Sequence, residues 1–389
     1  MSRQGRGDFR RLAPRARVMQ VLREWIGQGV LPRGQPIPSE NALAQRLRVG
    51  RATVGRALTL LEQEGLVRQV TGRTRIVAPL PDTSNGLVRR TVVVLWPSVQ
   101  LHIQPHHRGW GEAIVQGMIH EIREAGLHAM ALHPDKVTDA EMEQLAREHP
   151  LGVAVPDVLT GPLTDPAWVS KVFDALGAAR VPVAFYSDAP HLTGYDRVTS
   201  DHEAGSYALT RWLLDQRRRR ILMLFDAPLS LYWCAGRRAG YERAMREAAL
   251  EPLPTVEMAP CVFNASGDAR QFDAHTRYTA GCLLEPVSST NPPDALMLAS
   301  DGEVYPAAAA LRLLGKRPGQ DVLLAGYDNY WAEVPWRPFE TCGPQATVDK
   351  LNFESGQEMI RLLFARARGE LPREPQRRVI PPRLVIVKD

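Results

Sequence analysis

Residues 38–67 read PSENALAQRLRVGRATVGRALTLLEQEGLV. Ser39 is a strong helix-capping residue, and Glu40 follows in the first turn, where the helix dipole favours an acid. Ala42 stands where a capping box would place Glu, so the box is incomplete. The spacing predicts a helix over 40–47 that buries Leu43, Ala44 and Leu47. A short turn at Arg48, Val49 and Gly50 leads into a second predicted helix over 51–64. Its inner stripe is Val54, Ala57, Leu58 and Leu61, and Gly65 is placed to end it.

Upstream, residues 15–28 carry Val18, Val21, Leu22, Trp25 and Ile26 on one helical face. Gly27 and Gly29 stop that pattern, and the proline-rich stretch 31–38 reads as a loop. Downstream, extended runs over 66–70 and 75–77 flank Thr71, Gly72 and Arg73, which predicts a small hairpin with glycine at its tip. Three helices and a basic hairpin are the layout of a winged helix-turn-helix. The outer face of its third helix carries Arg51, Ala52, Thr53, Gly55 and Arg56. In a DNA major groove, Arg pairs with guanine and Thr touches a thymine methyl.

Charge supports a polyanion partner for this head. Residues 1–90 hold 17 Arg, no Lys and 6 acids, a net of +11, while the remainder of the chain nets −6. A basic head on an acidic body directs a polyanion to the head alone. The absence of Lys there has no separate meaning, because the whole chain has only five. The tail 1–12, with Arg3, Arg6, Arg10 and Arg11, is expected to be disordered and able to touch phosphates without reading sequence.

The segments PSENALA (38–44), RATVGRAL (51–58), LEQEGLV (61–67) and TGRTRIV (71–77) resemble the GntR family of transcription factors. The resemblance covers about residues 13–78 and implies double-stranded operator DNA as partner. It places the DNA contacts at Asn41, Arg51, Thr53, Thr71, Gly72 and Arg73. The plain alternative for the arginines is a solvated surface charge. Gly50 departs from the family's usual Ser, and Gly55 from its usual DNA-contacting Arg. Gly55 also costs helix propensity of about 1 kcal/mol. Arg56 is a further candidate contact, about 100° round the helix from Gly55.

The stretch 79–90 is rich in turn formers and reads as a linker. From residue 91 the pattern changes. Apolar runs at 91–96, 128–132, 152–155, 181–186, 221–225, 295–298 and 322–325 predict strands. Helical spacing covers 111–125, 139–149, 167–179, 203–215, 237–249, 268–283 and 303–314. This alternation predicts parallel sheet covered by helices on both faces, and residues 91–389 are long enough for two α/β lobes with a cleft between them. The expected fold is therefore multidomain, a small α+β winged helix-turn-helix followed by a two-lobed α/β domain.

VPVAFYSD (181–188), RVTSD (197–201), RRAGY (237–241), DALMLASD (294–301) and DVLLAGYDN (321–329) resemble the LacI/GalR effector domain, whose fold is that of periplasmic sugar-binding proteins. In PQATVDKLNFESG (344–356), Leu351 replaces a proline usual in that family, in a segment expected to lie away from the ligand cleft. The whole layout also resembles the arabinose-repressor type of regulator. Ligands of open α/β sheets bind beyond the carboxyl ends of the strands. That rule selects Ser98, His107, Arg108, Trp110, Asp188, Trp233, Arg237, Asp301 and Asp328 as candidate effector contacts. The resemblance favours Arg237 and Asp301 among them. Sugars suit charged hydrogen-bonding groups beside an aromatic face, so a sugar is the expected effector. A plainer role stands beside most of these: Arg237 as a structural partner of a carboxylate, Asp301 and Asp201 as helix caps, Asp328 in a turn, and Trp110 and Trp233 as core aromatics.

The expected function is a sequence-specific transcriptional repressor whose operator affinity a small effector controls, acting as a homodimer in the cytoplasm. The alternatives are a C-terminal domain that only dimerises, or one that answers a non-sugar metabolite such as a purine. No enzyme is expected. GxSxG, HExxH and P-loop motifs are lacking. Lys136, Lys171, Lys316, Lys350 and Lys388 sit in no pyridoxal-phosphate motif. No cofactor is expected, and His102, His106 and His107 lack the frame of a metal site. Cys234, Cys261, Cys282 and Cys342 are too scattered for a disulfide framework. No membrane partner is expected, because no stretch of eighteen apolar residues or secretory signal is present.

Overall fold

The computed structural model describes residues 14–27, 30–32, 35–63, 66–70, 74–77, 86–96, 110–156, 165–259 and 268–387. The chain divides into two compact units, Met1–Gly86 and Leu87–Asp389.

The first unit contains helices α1 (Pro14–Gly27), α2 (Glu40–Leu47) and α3 (Arg51–Gln63), then strands β1 (Val67–Gln69) and β2 (Arg75–Val77). Ser39 caps α2: its Oγ accepts from the Ala42 amide at 3.3 Å. The inner stripe of α3 (Val54, Ala57, Leu58 and Leu61) is buried against Val18 and Leu22 of α1 and Leu43 of α2. Each buried Val or Leu contributes on the order of 1.5–3 kcal/mol relative to exposure. Ala44 and Leu47, expected inside, are only half-buried at the rim. The hairpin is antiparallel with Val67 opposite Val77, and both enter the same core. Gly65, the expected end of α3, lies outside the described residues.

The second unit holds two six-stranded sheets. The first contains β3 (Thr91–Leu95), β4 (His128–Leu132), β5 (Gly152–Val155), β6 (Val183–Tyr186), β7 (Asp196–Ser200) and β13 (Arg377–Ile380), in the order β13-β7-β6-β5-β3-β4. All its pairings are parallel. The second contains β8 (Ile221–Phe225), β9 (Val256–Glu257), β10 (Ala295–Leu298), β11 (Leu323–Ala325), β12 (Ala346–Asp349) and β14 (Arg383–Ile386), in the order β14-β12-β11-β10-β8-β9. Only β14 runs antiparallel, against β12.

Both faces of each sheet are covered, so the strands read as unbroken apolar runs. On the first sheet Val93, Val153 and Phe185 face α5 (Asp139–Glu148) and α6 (Pro166–Ala178). Their neighbours Val92, Ala154 and Ala184 face α4 (Trp110–Glu124) and α11 (Asn352–Ala367). The second sheet packs between the pair α7 (His202–Asp215) and α8 (Tyr232–Glu247) and the pair α9 (Ala269–Ser288) and α10 (Val304–Leu313).

The chain crosses between the lobes three times: at Asp201, at Lys350–Leu351, and at Pro381–Pro382. The Asp201 amide donates to Ile380 O at 3.1 Å, which ties the first crossing to the third.

Several expectations need correction. α8 starts at Tyr232, five residues before its apolar pattern suggests, because its first turn borders a cavity rather than the core. Helix α11 and strands β7, β9, β12, β13 and β14 were not among the elements expected. The last residues of the expected linker, Leu87–Arg90, form a 3-10 turn onto β3, where Thr91 Oγ1 donates to Leu87 O at 2.7 Å.

Candidate functional site

Two places gather functional side chains. On the first unit, Asn41, Arg51 and Arg56 are exposed and Thr53 is half-buried. Glu40 organises this surface. Its carboxylate binds Arg51 Nε at 3.2 Å and Arg75 Nη1 at 3.0 Å, and Arg75 Nε reaches Glu62 at 3.5 Å. The hydrogen bond from Arg51 holds Glu40 below the ordinary carboxylate range. A Cβ at Gly55 would meet Glu40 no closer than 3.5 Å, so packing does not require glycine there. Thr71, Gly72 and Arg73, the expected wing contacts, lie outside the described residues.

In the second unit a cavity of about 240 Å³ opens at the carboxyl ends of the strands. Tyr186 ends β6, Asp226 follows β8, Ser300 follows β10, Asp328 and Tyr330 follow β11, and Lys350 follows β12. His202 opens α7, and Tyr232, Trp233 and Arg237 come from the first turns of α8. A larger open groove of about 1060 Å³ runs along the amino ends of the first sheet. Its buried acid Asp196 is already bound by Arg366 and the Gln376 amide at 2.7 Å. We therefore place the candidate site in the smaller cavity.

Arg237 is 3% exposed. Its Nη1 donates to Ala299 O at 2.6 Å, and its guanidinium carbon lies 3.5 Å from the Tyr327 ring centre and 4.6 Å from that of Trp233. Among the described residues its Nε meets no acceptor, and neither does the Trp233 indole Nε1. The rest of the RRAGY motif supports this placement. A Cβ at Gly240 would fall 2.2 Å from Glu203 O, so only glycine lets α8 close on α7. Tyr241 anchors the helix by donating to Ile221 O at 2.8 Å.

Asp328 meets Lys350 Nζ at 2.7 Å, and both side chains are buried. Asp328 and Asn329 have φ of 89° and 54°, the left-handed region that Asn and Asp tolerate best. Burial and the nearby Arg237 and Lys350 hold His202 well below its usual range, so it is neutral. Burial, helped by the Glu303 carboxylate, pushes Asp226 up to about 6. Glu303 in turn meets His275 Nε2 at 2.8 Å.

Of the expected effector contacts, Trp233, Arg237 and Asp328 line this cavity. Asp188 does not. Arg377 and Arg197 take its carboxylate at 2.6 and 3.0 Å, and they outweigh a burial that would raise it, leaving its pKa lowered. Asp301 is also corrected. It is fully buried behind the cavity, accepting from the Tyr330 amide (2.8 Å), the Trp331 amide (3.1 Å) and the Thr347 hydroxyl (2.8 Å). Asp201 caps α7, accepting from the Ala204 amide at 2.9 Å. Ser98, His107, Arg108 and the side chain of Trp110 lie outside the described residues, as do His102 and His106.

The segment around Leu351 is not remote from the cavity, since its neighbour Lys350 lines it. Leu351 itself has φ 55°, which a proline ring cannot adopt. Tyr186, His202, Asp226, Tyr232, Ser300, Tyr330 and Lys350 were not among the expected contacts. Asp226 directly follows a recognised strand and Ser300 lies two residues beyond another, so both were within reach of the strand-end rule. Lys350 follows β12, which the sequence pattern did not reveal. Among the described residues no group of three His, Cys, Asp or Glu could hold a metal ion, and no helix is long and apolar enough to cross a membrane.

Residues 14–77 match the family described as bacterial regulatory proteins, gntR family. Residues 210–387 match the periplasmic binding protein-like domain. The arabinose metabolism transcriptional repressor of Geobacillus stearothermophilus is 23% identical over 214 residues, 54% of this chain and 55% of that protein. The HTH-type transcriptional repressor PurR of Escherichia coli O1:K1 is 28% identical over 190 residues, 49% of this chain and 50% of that protein. The chain thus spans about half the length of the curated relatives it matches. Among solved structures, a transcriptional regulator CelR–cellobiose complex superposes with a TM-score of 0.58 at 21% identity, covering 90% of this chain and 99% of that one. The lac repressor dimer bound to operator and the anti-inducer ONPF gives 0.58 at 18% identity, covering 82% and 98%. The order of elements, the two sheets and these matches lead to one description: this chain joins a segment that matches the gntR-family model to one that matches the periplasmic binding protein-like domain, with the fold of the solved LacI-type regulators.

Proposed function

We propose that this chain is a DNA-binding transcriptional repressor controlled by a small effector held in the cavity between its sheets. The observation that carries the reading is the pairing, in one chain, of an exposed basic helix α3 in a GntR-type frame with a polar-aromatic cavity at strand ends. Asn41, Arg51, Thr53 and Arg56 are the proposed DNA contacts, with Thr71, Gly72 and Arg73 from the wing. Trp233, Arg237 and Asp328 are the proposed effector contacts, joined by Tyr186, Asp226, Tyr330 and Lys350. A sugar-class ligand is favoured, because aromatic faces and charged hydrogen-bonding groups converge there. The relatives are named repressors, one of them of arabinose metabolism. That agrees with a regulator rather than an enzyme, acting in the cytoplasm as a dimer on a near-palindromic site.

The effector changes DNA affinity only by the difference in its own affinity for the two conformations. The test is titration of the full-length chain on its own upstream promoter DNA, with and without a panel of sugars. A shift of roughly tenfold, about 1.4 kcal/mol of coupling, is expected for the true effector. DNA binding that no small molecule alters would reduce the second unit to a dimerisation body.

A further inference from the structure

We propose that the effector carries an acidic group, the carboxylate of a sugar acid, seated against the Arg237 guanidinium. The proposal rests on the effector reading above and adds the chemical class. Two acids, Asp226 and Asp328, and two bases, Arg237 and Lys350, line the cavity, and among the described residues only Lys350 and Asp328 meet as an ion pair. Lys350 and Asp328 form an ion pair at 2.7 Å, with side chains 6% and 4% exposed. The carboxylate best placed to bind the hydroxyls of a neutral sugar is therefore already neutralised. Arg237 is different: among the described residues no carboxylate lies within ion-pair distance of it. A carbonyl and two aromatic faces surround its guanidinium, and its Nε lacks an acceptor.

A buried cation without a counter-ion is costly, and a ligand carboxylate with charge-assisted hydrogen bonds relieves that cost. Asp226, the other acid on the wall, is raised to about 6 by burial and Glu303 and so still carries charge at neutral pH, but among the described residues it makes no ion-pair contact with Arg237. The indole N–H of Trp233, which has no acceptor among the described residues, is a second donor beside Arg237. The cavity, at about 240 Å³, is smaller than the roughly 300–1,000 Å³ of drug-sized sites, which suits a single ring or a short polyol chain.

The experiment is calorimetric titration of the full-length chain with glucuronate, galacturonate and gluconate against glucose, galactose and arabinose. At least one acid is expected to bind about tenfold or more tighter than its neutral parent. Lys350→Gln restores the charge of Asp328 and should narrow that preference, whereas Asp328→Asn leaves Lys350 without its acid and should widen it. Melting curves of both variants verify folding. Neutral sugars binding as tightly as the acids, no acid binding at all, or a preference unmoved in folded Lys350→Gln would each overturn the proposal. Promoter binding on the same preparations separates the two readings. DNA bound without any acid response sinks the acid effector alone, and loss of DNA binding in the wild-type chain sinks the regulator itself.

Discussion

Asp301 is fully buried, and burial lifts its pKa to about 8 despite three hydrogen bonds to the carboxyl. Its unfolded value is near the ordinary 3.9 or so. The folded state therefore holds the proton more tightly. The stability this contributes is complete below about pH 4 and is lost as pH rises toward 8. We predict that the melting temperature of the second unit falls between pH 5 and 8.5, and that Asp301→Asn flattens this fall. Parallel profiles for variant and wild type would show that Asp301 is not the source. At Gly55 the neighbouring space accepts a Cβ, so Gly55→Ala is expected to raise head stability by up to about 1 kcal/mol in denaturant titration. Arg237 was legible in its motif because Gly240 and Tyr241 mark it. Asp188 was misread because its two partners, Arg197 and Arg377, come from β7 and β13, the second 189 residues away in sequence.

Helix α8 meets α7 through Gly240, whose backbone touches Glu203. Gly240→Ala should destabilise the second unit by about 1–3 kcal/mol through overpacking. It should also weaken effector binding, because displacing α8 moves Arg237, one turn earlier. A variant that melts like wild type would mean the two helices yield more easily than this contact implies. Most strands recognised from sequence are buried on both faces, such as β8 and β10, whose residues are all apolar; the exposed edge strand β4 was recognised because its own residues, His-Ala-Met-Ala-Leu, are largely apolar. Those missed are edges or crossing elements. β13 reads Arg-Arg-Val-Ile and β14 Arg-Leu-Val-Ile, and each pairs on one side only. Half-exposed edge strands retain charged residues, so periodicity alone does not reveal them.

At the scale of the whole molecule, charge is divided between a basic head and an acidic body. A partner bound through phosphates releases counterions, so promoter affinity should fall steeply with added salt. Arg51→Ala is expected to weaken binding and to lower the slope of log K against log salt by about one. Effector affinity measured without DNA should stay unchanged. An unchanged slope would remove Arg51 from the phosphate contacts. The sequence alone determined the three-helix head with its hairpin, the α/β character of the body, the positions of most helices and the Arg237 motif. Each of these follows from local periodicity, capping and spacing, which a few consecutive residues carry. Only the tertiary structure decided which strands share a sheet, that the chain crosses between lobes three times, and that Lys350 pairs with Asp328 while Arg237 meets no acid at ion-pair distance among the described residues. Those outcomes depend on contacts between residues far apart in the chain, where packing and charge pairing leave no periodic trace.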